Sequence, residues 1–112
     1  MDIKIQAWLL DIKVCIEEID EFLGSKRDFI AYQKDKMKKK AIERNLEIIG
    51  EAVNRILKLY PDFSLDNAKN IIGTRNRIIH SYDNISDEVI WTIITRELPL
   101  LKSQVEELIQ SE

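Results

Sequence analysis

One histidine, one cysteine, two prolines and three glycines are all that 112 residues hold of these types. The lone Cys15 excludes an internal disulfide framework and fits a reducing compartment. One His and one Cys cannot supply the donors of an ordinary zinc site, so neither metal nor other cofactor is expected. Scarce Gly and Pro leave little turn chemistry, which favours few, long helices. No Gly-x4-Gly-Lys-Ser/Thr loop and no Gly-x-Gly-x-x-Gly is present, which argues against the common phosphate-cradling loops. No apolar run approaches the ~20 residues of a membrane span, no stretch alternates as a strand should, and no segment repeats. The opening Met1-Asp2-Ile3-Lys4 is interrupted by charge, unlike a signal peptide, so the expectation is a cytoplasmic protein with no membrane partner. The net charge of −3 advertises no polyanion partner overall; any basic surface must be local.

What is present is amphipathic. Apolar residues make up 45% and charged residues 33%, the latter above the usual ~25%, as a set of two-faced helices requires. The length suits a single domain, 1–112, and the expected fold is all-α: an up-and-down bundle of four main helices plus one short one. Ile5, Leu9, Ile12, Ile16, Ile19 and Leu23 step at helical spacing through residues 2–23, with Trp8, Cys15 and Phe22 widening the stripe enough to meet neighbours on two sides. Cys15 lies within that stripe and reads as core packing. Gly24 is a natural stop, and Ser25 a natural N-cap for a short helix over 26–34.

Residues 36–60 form the second long helix, with Ile42, Leu46, Ile49, Val53, Ile56 and Tyr60 as its seam and Pro61 as its end. It opens on the densest positive stretch in the chain, Lys34, Lys36, Lys38, Lys39, Lys40 and Arg44. That strip is either a solvated helix start or a docking strip for RNA backbone. Gly50 stands mid-helix, which suggests close approach of another helix, and Glu47 and Glu51 lie beside the seam. In the loop that follows, Ser64 reads as an N-cap and Asp66 sits near the positive end of the next helix dipole. The last helix begins at the Ser86 cap, runs along Ile90, Ile94, Leu98, Leu101, Val105 and Leu108, and carries Pro99, which should kink it near residues 95–98.

The chemistry concentrates in the third long helix, residues 67–80. Its apolar stripe runs Ala68, Ile71, Ile72, position 75, Ile78, Ile79 and Tyr82, and mid-stripe, where Leu or Ile belongs, stands Arg75. A cation there needs a carboxylate, a phosphate or backbone oxygens; Glu51 is the leading candidate to hold it. Asn76 and His80 share one flank, with Gly73 near them, and Asp83-Asn84 reads as the turn that ends the helix. His80 falls about 140° round from Arg75. An anchored cation beside a lone imidazole, whose ordinary pKa of about 6.5 lets it act as acid or base, suits phosphate chemistry. The plainer alternative is a core arginine paired with Glu51 and a histidine that caps a helix end.

Arg75-x4-His80-x-Tyr82, with Asn76 after the arginine, resembles the signature of the HEPN superfamily of helical domains, and specifically its HepT-like branch. The blocks Arg44-Asn45-Leu46-Glu47-Ile48-Ile49-Gly50-Glu51-Ala52, Tyr60-Pro61, Asn70 through Asn76, Asp87 through Trp91 and Leu98-Pro99 resemble that branch in order and spacing. Two departures are Ser81, where the branch has Gly, and the absence of a Trp between Pro61 and the motif helix.

The resemblance implies a metal-independent ribonuclease, the toxin half of a two-gene toxin–antitoxin module, with RNA as substrate and transfer RNA among the candidates. Arg75 and His80 would be catalytic, Asn76 and Glu51 supporting, and Lys36, Lys39, Lys40 and Arg77 contacts for the RNA backbone. It implies a homodimer with a composite cleft, because one histidine per chain is thin for acid–base work. It also implies an MntA-like nucleotidyltransferase antitoxin that attaches AMP to Tyr82. Gly24-Ser25 does not make this chain the transferase, since Lys36 and Lys38 stand where such an enzyme needs a metal-binding Asp pair. The competing reading is a non-catalytic helical partner of a nucleotidyltransferase, binding nucleotide or substrate without turnover.

Overall fold

The computed structural model describes residues 2–63, 65, 68–80 and 86–111, with backbone alone at 68, 79 and 80. The elements are α1 (Ile3–Leu23), α2 (Phe29–Lys34), α3 (Lys36–Leu59), α4 (Ala68–His80), α5 (Asp87–Thr92), a π-turn (Ile93–Glu97) and α6 (Leu98–Gln110). The last three run on without a break, so the described residues form four long helices and one short one, the expected all-α arrangement. Among the described residues, no helix is long and apolar enough to cross a membrane. The Ser64 cap, the dipole position of Asp66, the departure at Ser81 and the turn at Asp83-Asn84 lie outside the described residues.

Short acidic caps start three of the helices. Asp2 accepts from the Lys4 amide at 2.8 Å, Asp28 from Ala31 at 3.1 Å, and Asp35 from Lys38 at 3.0 Å. Asp28 corrects the expectation of a Ser25 cap and a start at 26: α2 begins at Phe29. A carboxylate complements the positive helix end more strongly than a hydroxyl, and Arg27, just before it, is drawn back onto Asp20 at 3.0 Å. Gly24, at φ +74°, stops α1 as expected, its N–H bonding to the Asp20 carbonyl.

α1 lies between α3 and α6 and buries Ile5, Leu9, Ile12, Ile16 and Ile19 against them, the two-sided packing its wide stripe requires. Phe22 departs from the stripe and stays 36% exposed at the rim, where the chain turns away at Gly24. Tyr60 likewise leaves the α3 seam, because α3 ends at Leu59 and Tyr60 is its C-cap. Asn45 is a buried polar link: its Nδ2 donates to the Cys15 carbonyl at 3.3 Å and to Glu18 Oε1 at 3.1 Å, tying α3 to α1. Burial pushes the Cys15 thiol up to about 11, with nearby Glu18 and Asp11 adding to the effect, so it stays protonated and inert.

The spacing of the final helix holds, with Ile90, Ile94, Leu98, Leu101 and Val105 all buried. The break expected at Pro99 takes the form of the π-turn. Proline has no N–H for the Thr95 carbonyl, and its ring would crowd that oxygen in a regular helix. The helix widens over Ile93–Glu97 instead, and the Leu98 N–H reaches five residues back to Ile93.

Candidate functional site

α4 packs along α3, and at Gly50 the two come close. A Cβ added at Gly50 would collide with Arg75 Cβ and stand 3.0 Å from Arg75 Cγ and 3.2 Å from the Ile71 carbonyl oxygen. The missing side chain is what lets α4 settle with Arg75 directly over α3. α4 buries Ile71 and Thr74 there, with Ile72 and Ile78 packed at the core edge. Ile79, Tyr82 and the side chain of Ala68, the other members of its expected stripe, lie outside the description.

Arg75 emerges from this contact into a cluster of opposite charge. Its Nη2 meets Glu51 Oε2 at 2.7 Å, and its Nη1 donates to Asn76 Oδ1 at 3.0 Å. The second oxygen of Glu51 accepts from Arg55 Nε at 3.0 Å, so one carboxylate holds two guanidinium groups. Glu47, the alternative partner for Arg75, is taken by Arg44 at 3.0 Å. Arg75 Nε is buried with no hydrogen-bond partner among the described residues. The guanidinium has five N–H donors, and these contacts use two of them. It faces a groove of about 300 Å³ whose walls include Trp8, Asp11, Arg44 and Arg55.

The structure therefore brings Arg75, Asn76 and Glu51 together. Arg55 was missed by the sequence reading, although it is the i+4 partner of Glu51, a spacing that could have found it. The side chain of His80 and all of Tyr82 lie outside the described residues. Helix arithmetic puts position 80 on the flank of Gly73 and Arg77, about 140° from Arg75. That flank borders a second groove, of about 660 Å³, between α4 and the π-turn. Arg77 stands on its wall.

The basic strip lies elsewhere. α4 runs back along α3, so its C-terminal end points toward the start of α3, where the strip sits. Lys36 and Lys40 are exposed there. Lys39 is held by Asp87 at 2.9 Å, which fixes the start of α5 against the start of α3. Burial raises the Glu43 carboxyl above its ordinary range beside this pair, Lys39 opposing and Asp87 adding to the rise. Burial, with Asp87 and Glu43, likewise raises the Tyr32 hydroxyl, whose ring packs with Phe29 and Trp91.

Comparisons with known proteins identify the family. The family model described as ribonuclease HepT-like matches residues 12–108. A protein assigned as an RNase in Caldanaerobacter subterraneus subsp. tengcongensis is 39% identical over 96 residues, covering 82% of this chain and 86% of that protein. Another assigned RNase, from Methanocaldococcus jannaschii, is 33% identical over 110 residues, covering 95% of this chain and 88% of that protein. A protein assigned as ribonuclease HepT in Thermococcus cleftensis is 33% identical over 107 residues, covering 90% and 92%. No solved structure gives a match. A family match across most of the chain, with the motif helix inside it, makes this protein a member of the HepT-like ribonuclease family.

Proposed function

We propose that the chain is a metal-independent endoribonuclease that cuts RNA through the 2′-hydroxyl of its own substrate, with Arg75 and His80 as the catalytic pair. Family membership supports the ribonuclease class. The observation that carries the chemistry is the anchored guanidinium of Arg75. Glu51 and Asn76 hold it in one orientation at a groove and leave N–H donors over for an anion. Such a preset cation stabilises charge as it builds on a phosphorane-like centre, without reorganising at the moment of reaction. His80 would move the proton of the attacking hydroxyl or of the leaving oxygen. The products would be a 2′,3′-cyclic phosphate and a 5′-hydroxyl. Asn76, occupied by Arg75, acts in this reading by orienting the cation.

The flanks of Arg75 and position 80 differ by about 140° on one helix. That separation supports a cleft built from two chains in a symmetric homodimer, where the Arg75 of each protomer meets the His80 of its partner. In the same reading the protein is the toxin of a two-gene module, and an MntA-like nucleotidyltransferase antitoxin silences it. AMP placed on Tyr82, two residues beyond His80, would bring a bulky anion to the cleft and occupy its cation.

The test is RNA cleavage in EDTA, comparing wild type with His80→Ala on total transfer RNA and a structured messenger RNA. Cleavage by wild type alone, with cyclic phosphate ends, is the expected result. Clean 3′-hydroxyl ends, or equal cleavage by the variant, would refute the mechanism.

A further inference from the structure

The groove between α4 and the π-turn takes no part in the Arg75 cluster. Val89 and Ile93 of the last helix and Gly73 and Thr74 of α4 line it. A Cβ at Gly73 would meet no heavy atom within 4 Å, so a flat ligand can lie against bare helix backbone there. Lys69, Arg77 and Arg96 line the walls against the carboxylates of Glu88 and Glu97, a positive balance within an acidic chain. Asn70 Nδ2 donates to Glu97 Oε1 at 2.9 Å, joining α4 to the π-turn. Only the amide nitrogen can donate to a carboxylate, so this bond sets which way the carboxamide points. Among the described residues, the acceptor atoms of the pair that lie outside this bond are Glu97 Oε2 and Asn70 Oδ1. The Thr74 hydroxyl is directed away from them, donating to the Asn70 carbonyl at 2.8 Å.

Two acceptors carried by one hydrogen-bonded pair match one nucleobase. Guanine carries two adjacent donors, N1–H and the N2 amine, on its Watson–Crick edge. Adenine and cytosine put a donor beside an acceptor, and uracil puts one donor between two acceptors. We propose that this groove is a base-reading subsite for an unstacked guanine in single-stranded RNA. The base lies over Gly73, its donor edge meets Glu97 and Asn70, and the adjoining phosphates meet Lys69, Arg77 and Arg96. The proposal rests on the reading of RNA as substrate. Asn70 and position 80 are ten residues apart, about 15 Å along α4, so the guanine sits away from the bond that is cut. Glu97 is the last residue of the π-turn, and its carboxylate reaches α4 there.

The test uses the full chain and fluorescent 2′-O-methyl hexanucleotides, which lack the nucleophile and bind without being cut. Oligouridine with one central guanine is compared with the same oligomer carrying a central adenine and with uridine throughout. The guanine oligomer is expected to bind at least about tenfold tighter than the other two. Glu97→Gln keeps the bond from Asn70 but turns the free acceptor into a donor, an edge that suits adenine, and is expected to reverse the order. Equal binding of the three oligomers, no binding of any, or a guanine preference unchanged in Glu97→Gln overturns the proposal; the wild-type comparison decides even if the variant folds poorly. Guanine preference without cleavage of ordinary RNA would leave the subsite standing and refute the nuclease chemistry. Cleavage blind to base would do the reverse.

Discussion

Glu51 stands with Arg55 on one oxygen and Arg75 on the other, and only Arg75 belongs to the motif. Removing its charge while keeping its shape separates positioning from packing. Glu51 and Arg75 are both part-exposed, so their ion pair contributes little to stability after solvent screening. Glu51→Gln is expected to change unfolding free energy by less than about 1 kcal/mol. Cleavage should fall between about ten- and a hundredfold, because a guanidinium free to rotate no longer meets the reacting phosphate in one geometry. Urea melts and initial rates on the same RNA check both halves. A large loss of stability with an unaltered rate per folded molecule would mean that Glu51 serves the fold alone. That Arg75 needs a partner is readable from its place in an apolar stripe. Which carboxylate answers is less so, since Glu47 and Glu51 both flank the seam; the depth at which α4 seats over Gly50 decides for Glu51.

At the scale of elements, Gly50 and Gly73 make a paired experiment. Both are helical glycines, and alanine at either gains about 1 kcal/mol of helix propensity. At Gly73 the new methyl meets open space, so Gly73→Ala should stabilise by about that amount. At Gly50 it strikes Arg75 Cβ, an atom fixed to the backbone, and α4 must move. Overpacking of that kind costs about 1–3 kcal/mol, so Gly50→Ala should lose the stabilisation seen at Gly73 and be destabilising by up to about 2 kcal/mol after the propensity gain. Chemical denaturation of the two variants side by side measures the difference; equal effects would contradict the close approach. The close contact at Gly50 was legible in sequence, because a mid-helix glycine between apolar positions needs a reason. Other elements were legible only in part. Ser25 and Asp28 are both good caps, and no periodic signal separates them. Pro99 announces a disturbed helix but not its form, which depends on how the Leu98 N–H finds a carbonyl five residues back. The Asn70–Glu97 bond joins residues from different helices and leaves no trace in the spacing of either.

For the whole molecule the question is whether one chain suffices. Within a single α4 the anchored Arg75 and position 80 occupy different flanks, and each flank borders its own groove. A symmetric dimer would let the cation of one chain serve the imidazole of the other. This can be read without knowing the interface. Arg75→Ala and His80→Ala chains, each inactive, are mixed after unfolding so that subunits recombine. A hybrid dimer then holds one intact Arg75 and one intact His80 on different protomers. If the cleft is shared, the mixture recovers cleavage, limited by the fraction of hybrids and by the loss of one of two working pairs. If each chain works alone, every cleft in the mixture lacks one catalytic group and activity stays at the level of the separate variants. Light scattering on the same samples distinguishes the remaining case: a monomer at working concentration would refute the shared cleft, because no partner is present to supply the missing residue.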